Sequence, residues 1–176
     1  MASLKRKGFG QVEPNHLSAQ RTGQIYAQLI ADKNLNIIEN GMFLKYDYEN
    51  RKAVADTTVA GEWLLVYNEE KLYDPRKQNH RYFAMKKTDY VDGEMVPRLF
   101  KTNIGDIYTT NTIGGPNTAD DAETAAVTVS VGDLLEVGSN GYLVVNNSAS
   151  GMAFKVVAIT TMPDPDAPAV KLQRVQ

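Results

Sequence analysis

The chain reads as an all-β protein, a small β-barrel or β-sandwich with an extended N-terminal arm, on three observations. Apolar and polar residues alternate in short runs, as in Val127-Thr128-Val129 and Ala169-Val170-Lys171-Leu172-Gln173-Arg174-Val175, which is the two-residue period of a half-buried strand. Tight-turn signals separate the runs, among them Asn40-Gly41, Asp92-Gly93 and Gly138-Ser139-Asn140-Gly141. No stretch carries a convincing long amphipathic helix.

The arm comprises residues 1–23. Lys5, Arg6 and Lys7 form a basic cluster beside Gly8-Phe9-Gly10, and Pro14, Asn15 and Ser18 oppose a long helix. At most one helical turn fits at residues 15–20. Such a segment is either a frayed terminus or an arm that orders on a partner. In the second case Phe9 and Val12 are its apolar anchors, and Lys5, Arg6 and Lys7 meet acidic groups.

Residues 24–176 form the β-rich domain. A sub-boundary near residues 114–126 would divide it into two β-subdomains. Residues 24–30 are a first strand, stopped at Ala31-Asp32-Lys33-Asn34. Residues 42–48 are a strand that turns at Glu49-Asn50-Arg51 and returns through residues 52–55. Thr57, Thr58 and Val59 are β-branched and precede Gly61, so no helix is expected there. The unbroken apolar run Trp63-Leu64-Leu65-Val66-Tyr67 predicts a strand central in a sheet. Residues 68–80 are an exposed loop, residues 81–85 a strand, and Pro97 limits the segment before Leu99-Phe100 to an edge or a loop. Residues 102–113 are extended, with Ile104, Tyr108, Thr110 and Thr112 in one parity. Residues 118–126 form a surface loop or short helix.

The hairpin at residues 127–145 is the centre of this fold, and residues 152–160 and 169–175 complete it as long strands. Its Gly132-Asp133 start recurs at Gly105-Asp106, with a related pattern at Gly41-Met42. Gly41-x-Phe43-Leu44-x-Tyr46 leading to Val54 also superposes on Gly132-x-Leu134-Leu135-x-Val137 leading to Val145, each over 13 positions. Two hairpins of one kind, each opened by a glycine, account for the echo; shared strand composition accounts for it equally.

Composition bounds the function. A hydrophobic content of 43% suits a packed core, and a net charge of -2 gives no whole-chain reason to expect nucleic acid or an acidic membrane surface. The chain has no cysteine, which removes disulfides and thiolate metal sites and fits a reducing cytoplasm. The basic first ten residues lack the apolar segment of a signal peptide, and no apolar run is long enough to span a bilayer.

Catalytic patterns are missing. Asp120, Asp121 and Glu123 crowd a small-residue loop and read as solvated charges. Asp164 and Asp166 alternate with prolines. His16 and His80 lack a second histidine or cysteine at metal-ligand spacing, and neither a Gly-x-Ser-x-Gly nucleophile motif nor a phosphate-binding glycine loop occurs. The reading is a non-enzyme with no cofactor. Tyr46, Tyr48, Tyr67, Tyr73, Tyr82 and Tyr90 suit a binding surface or simply strand faces. The basic residues among them are offset by Glu69, Glu70, Asp74 and Asp89, which argues against nucleic acid.

Three stretches carry a likeness. They are Ser18-Ala19-Gln20-x-Thr22-Gly23-Gln24 leading to Glu39-Asn40-Gly41-Met42-Phe43; Pro97-Arg98-Leu99-Phe100 before Gly105-Asp106-Ile107-Tyr108; and Val131-Gly132-Asp133-Leu134-Leu135 leading to Phe154-Lys155-Val156-Val157. Together the chain resembles the capsid decoration (cement) proteins of tailed bacteriophages, in which a short Gly-Asp-aliphatic strand opens a small β-barrel. Its long middle region departs from the small members of that group. The resemblance implies a virion component made in the bacterial cytoplasm that adds to the major capsid protein lattice, and homo-oligomers are compatible with it. A carbohydrate- or cell-surface-binding module of a fibre or tail, with Trp63 or a tyrosine as stacking platform, is the alternative. Position and residue type, rather than a family motif, make Lys5, Arg6, Lys7, Phe9 and Val12 the expected partner contacts.

Overall fold

The computed structural model describes residues 1–18, 29–68, 83–118, 122–162 and 167–176. The protein is all-β, with several sheets, one of them curled into a half-barrel. Its first strands are β1 (Ala2–Leu4), β2 (Val12–His16), β3 (Ile30–Ala31), β4 (Ile37–Ile38) and β5 (Phe43–Asp47). Then come β6 (Lys52–Val54), β7 (Leu64–Val66), β8 (Met85–Lys86), β9 (Leu99–Phe100) and β10 (Ile107–Thr110). The last are β11 (Val127–Val129), β12 (Leu134–Val137), β13 (Leu143–Val145), β14 (Ala153–Thr161) and β15 (Pro168–Arg174). Two single 3₁₀ turns, Lys87–Asp89 and Val91–Gly93, follow β8.

Two large sheets dominate. One has six strands in the order β13-β12-β14-β15-β10-β2, the other five in the order β3-β6-β5-β7-β9. Pairs β1-β11 and β4-β8 stand apart. Alternation in the five-stranded sheet explains the unbroken apolar run of residues 63–67. Phe43, Leu65, Tyr67 and Phe100 join the core shared with the six-stranded sheet. Leu44, Leu64, Val66 and Leu99 join a second core on the opposite face. β7 is therefore buried on both sides, between β5 and β9. Because the cores share one sheet, they do not form separate subdomains. Phe43 and Phe154, with ring centroids 5.3 Å apart, bridge the two large sheets. β9 lies at a sheet edge, and residues 94–98 before it, which include Pro97, belong to no strand.

The expected hairpin is present, with Leu135 opposite Val145 and Val137 opposite Leu143. Its approach strand differs: β11 leaves the hairpin and pairs with β1. The glycine recurrence is structural. Glu39-Asn40-Gly41-Met42, Asn103-Ile104-Gly105-Asp106 and Ser130-Val131-Gly132-Asp133 make the same turn, with glycine φ of 91°, 93° and 98°. In each, the fourth residue's N–H donates to the first residue's carbonyl. The first residue's N–H donates to the fourth side chain, Asp106 Oδ2 and Asp133 Oδ2 at 2.8 Å and Met42 Sδ at 3.4 Å. The glycine N–H and fourth carbonyl then bond one residue of a neighbouring strand, Val66, Arg174 or Val156. Asp133 is thus a turn-closing residue, and its acceptor is used by the backbone.

The described part of the expected N-terminal arm is built into the sheets. Residues 1–18 hold two strands: β1 runs against β11, and β2 pairs with β10 at the margin of the six-stranded sheet. Between them, Thr124 N donates to the Arg6 carbonyl at 3.0 Å and Gly8 N to Ala122 O at 3.2 Å, continuing the β1-β11 ladder. The expected boundary at residue 23 therefore separates strands of one sheet. The first strand expected at residues 24–30, the loop at 68–80, Asp120, Asp121, Asp164, Asp166 and His80 fall largely or wholly outside the described residues.

Candidate functional site

Alternation sets the fate of the basic cluster. Leu4, Arg6 and Gly8 point inward, while Lys5 and Lys7 point to solvent. Arg6 is 2% exposed and meets Glu39, which is 0% exposed. Glu39 Oε1 accepts from Arg6 Nη1 at 2.8 Å and from Gly10 N at 2.7 Å. Its Oε2 accepts from Arg6 Nη2 at 3.0 Å, Asn117 N at 3.2 Å and Tyr142 Oη at 2.6 Å. Arg6 Nη2 also donates to Gly115 O at 2.9 Å, and Asn117 Nδ2 to Gly8 O at 2.7 Å. One carboxylate thus ties together the N-terminal segment, residues 115–117 and the β12-β13 hairpin. Burial, reinforced by the negative charge of Glu39, pushes the Tyr142 hydroxyl far above the usual tyrosine range, so it stays a neutral donor. Glycine at position 10 is required, since a Cβ there would run into Thr112 and the Asn40 carbonyl. Both Glu39 oxygens are consumed by the protein, so this cluster is a clamp.

The predicted contact residues are accordingly divided. Arg6, Phe9 and Val12 are 2%, 0% and 4% exposed and are interior residues of their own chain. That corrects the expectation that they meet a partner. Lys5 and Lys7 are exposed; the acid that Lys5 meets is intramolecular, in an ion pair with Glu123. The hydrogen bond and charge of Lys5 hold the exposed Glu123 carboxyl below its ordinary range. Trp63 packs against the first core, with Lys45 Nζ 4.7 Å from its ring centroid. Lys45 Nζ also donates to Val59 O at 2.7 Å, which pins the loop before β7.

A groove of about 450 Å³ lies on the outward face of β2, β10, β15 and β14. Register builds it: Glu13 and Lys171 both stand opposite Thr109, and Ala158 stands opposite Lys171. These residues form one transverse row. Register shifts between Ile107 and Tyr108 and between Val156 and Ala158 bend the sheet there. Thr109 Oγ1 donates to Asn15 Oδ1 at 2.8 Å. Glu13 and Lys171 lie two strands apart, about 10 Å between Cα atoms.

The remaining exposed apolar groups decorate turns and one strand. Ile104 is 72% exposed and Val131 60%, each at the second position of its glycine turn, and Val91 is 87% exposed at the start of the second 3₁₀ turn. In the third glycine turn the equivalent residue is Asn40, buried, with its Oδ1 accepting from Asn68 N at 2.7 Å. One turn geometry therefore serves inside as a clamp and outside as an apolar tip. The sequence reading missed these tips because it took the turns only as punctuation; the shared x-Gly pattern was the available signal.

Searches of protein-family models, curated proteins and solved structures found no match to this chain.

Proposed function

We propose that this protein is a non-enzymatic virion component that binds the assembled major capsid protein lattice and stabilises the head, as decoration proteins do. The observation that carries the reading is the distribution of exposed apolar side chains. Val91, Ile104 and Val131 stand on turns, and Val157 and Ile159 lie along one strand. Shallow, dispersed contacts on a rigid frame suit a broad macromolecular surface. The resemblance drawn from the sequence supports the same partner, with a virion location and synthesis in the bacterial cytoplasm. A protein that binds only the assembled lattice stabilises it by its binding free energy at each occupied site. Contact is assigned to these tips, with the N-terminal segment serving the fold.

The test mixes purified protein with undecorated capsids and sediments them. Co-sedimentation that Ile104→Asp and Val131→Asp weaken is expected; no co-sedimentation refutes the reading.

One observation favours the carbohydrate-binding alternative. Tyr48 is 75% exposed beside Tyr46, with centroids 5.7 Å apart, an available stacking face. A glycan-array signal abolished by Tyr48→Ala would select that reading.

A further inference from the structure

We propose that β14 carries a self-complementary edge through which two copies of this chain pair about a twofold axis at Thr160. The proposal stands whether or not the chain binds a capsid.

β12 covers the outer edge of β14 only through the pairs Leu134–Lys155, Leu135–Phe154 and Glu136–Ala153. The turn before β12 extends that cover by one residue: Gly132 N donates to Val156 O at 2.8 Å, and Val156 N to Asp133 O at 2.9 Å. Beyond it, residues 158–161 pair with β15 alone among the described residues. Met162 N donates to Ala167 O at 2.9 Å. Antiparallel alternation therefore turns the backbone groups of Met162, Thr160 and Ala158 toward β15 and those of Ile159 and Thr161 outward. Pro168, which has no N–H, stands opposite Thr161, where no ladder donor is needed.

Among the described residues this edge lacks the usual protection. Residues 156–162 contain no charged side chain, and Val157, Ile159, Thr160 and Thr161 are exposed. Natural sheet edges of this kind are blunted by charge or proline, or they are covered. A second copy supplies the cover. With the axis at Thr160, Ile159 of one copy faces Thr161 of the other. Each such pair exchanges both its hydrogen bonds, so every outward N–H and C=O of Ile159 and Thr161 is satisfied. No like charges meet across the axis. Lys155, the nearest charge along the strand, lies outside the paired stretch. The two outward grooves then lie side by side on one continuous sheet.

The two Thr160 residues form a non-hydrogen-bonded pair, with Cα atoms about 4.5 Å apart, within the span of a disulfide. The chain has no native cysteine, so each single-cysteine variant reports one position. Under mild oxidation, Thr160→Cys is expected to cross-link at least about tenfold faster than Thr161→Cys or the exposed-loop control Ser148→Cys. In sedimentation velocity, the unmodified chain should associate to twice its mass. Ile159→Lys, on an exposed side chain, should sediment as monomer with an unchanged unfolding curve. Absence of both dimer and position-specific cross-linking overturns the proposal. So does a dimer that Ile159→Lys leaves intact, or one in which Thr161→Cys cross-links as fast as Thr160→Cys.

Discussion

The N-terminal segment and the end of β14 lie on opposite sides of β10 and β15, and their sequences suggest the reverse of their roles. Residues 5–12 carry charge, glycine and an isolated phenylalanine, the marks of a segment awaiting a partner, yet Arg6, Phe9 and Val12 are interior. Residues 157–161 read as an ordinary strand, yet their outer edge is uncovered among the described residues. The difference lies in what each segment finds within its own chain. Arg6 finds Glu39, while Ile159 and Thr161 find no strand on their outer edge among the described residues. Stickiness therefore follows from unspent backbone and apolar groups, and composition alone does not locate them.

Deleting residues 1–12 would break this comparison most severely. It removes Leu4, Arg6, Phe9 and Val12, at about 2–5 kcal/mol for each large apolar residue, against a total stability of about 5–15 kcal/mol. Loss of the cooperative thermal transition in circular dichroism is expected. Retention of that transition would restore the detachable arm. Glu39→Ala comes next, because it strands Arg6, Tyr142 and the amides of Gly10 and Asn117. Breaking a buried pair in this way costs about 3–5 kcal/mol, read as a Tm lower by roughly 10 °C. Adding Arg6→Met to Glu39→Met should return part of the loss, since it removes an uncompensated buried charge.

Two buried tyrosines sharpen the contrast. Tyr142 donates to Glu39, whereas the Tyr108 hydroxyl has no partner among the described residues. Tyr142→Phe should cost about 1–3 kcal/mol and Tyr108→Phe close to nothing, both measured by urea unfolding. Burial raises both hydroxyls above their ordinary ionisation range. Their contribution is full below about pH 10 and is lost as pH rises further, because the unfolded chain ionises first. Either phenylalanine variant should flatten that alkaline decline. Lys5→Ala and Lys7→Ala should leave Tm unchanged, since both side chains are exposed.

Alternation made most of the fold legible. The run at residues 63–67 announced a strand central in a sheet, and the Gly-Ser-Asn-Gly turn announced the β12-β13 hairpin. The glycine turns were visible where aspartate follows glycine; at Gly41 the methionine sulfur takes the acceptor's place, which weakens the pattern. The clamp was hidden because its parts are distant in sequence: Arg6 and Glu39 are 33 positions apart, and Tyr142 lies 103 beyond Glu39. A signal existed, since Leu4, Arg6 and Gly8 share one parity, but an arginine is ordinarily assigned to solvent. The uncovered edge of β14 was not legible, because strand order depends on long-range pairing.

Amide hydrogen exchange of the full chain tests most directly whether the N-terminal segment belongs to the fold. Gly10 N–H is held by Glu39 Oε1 and Gln11 N–H by Asn111 Oδ1, each at 2.7 Å. Both should be as protected as the amides of the β10-β15 ladder, opening only with the whole domain. Exchange at the rate of an unstructured terminus, with that ladder still protected, would contradict the account.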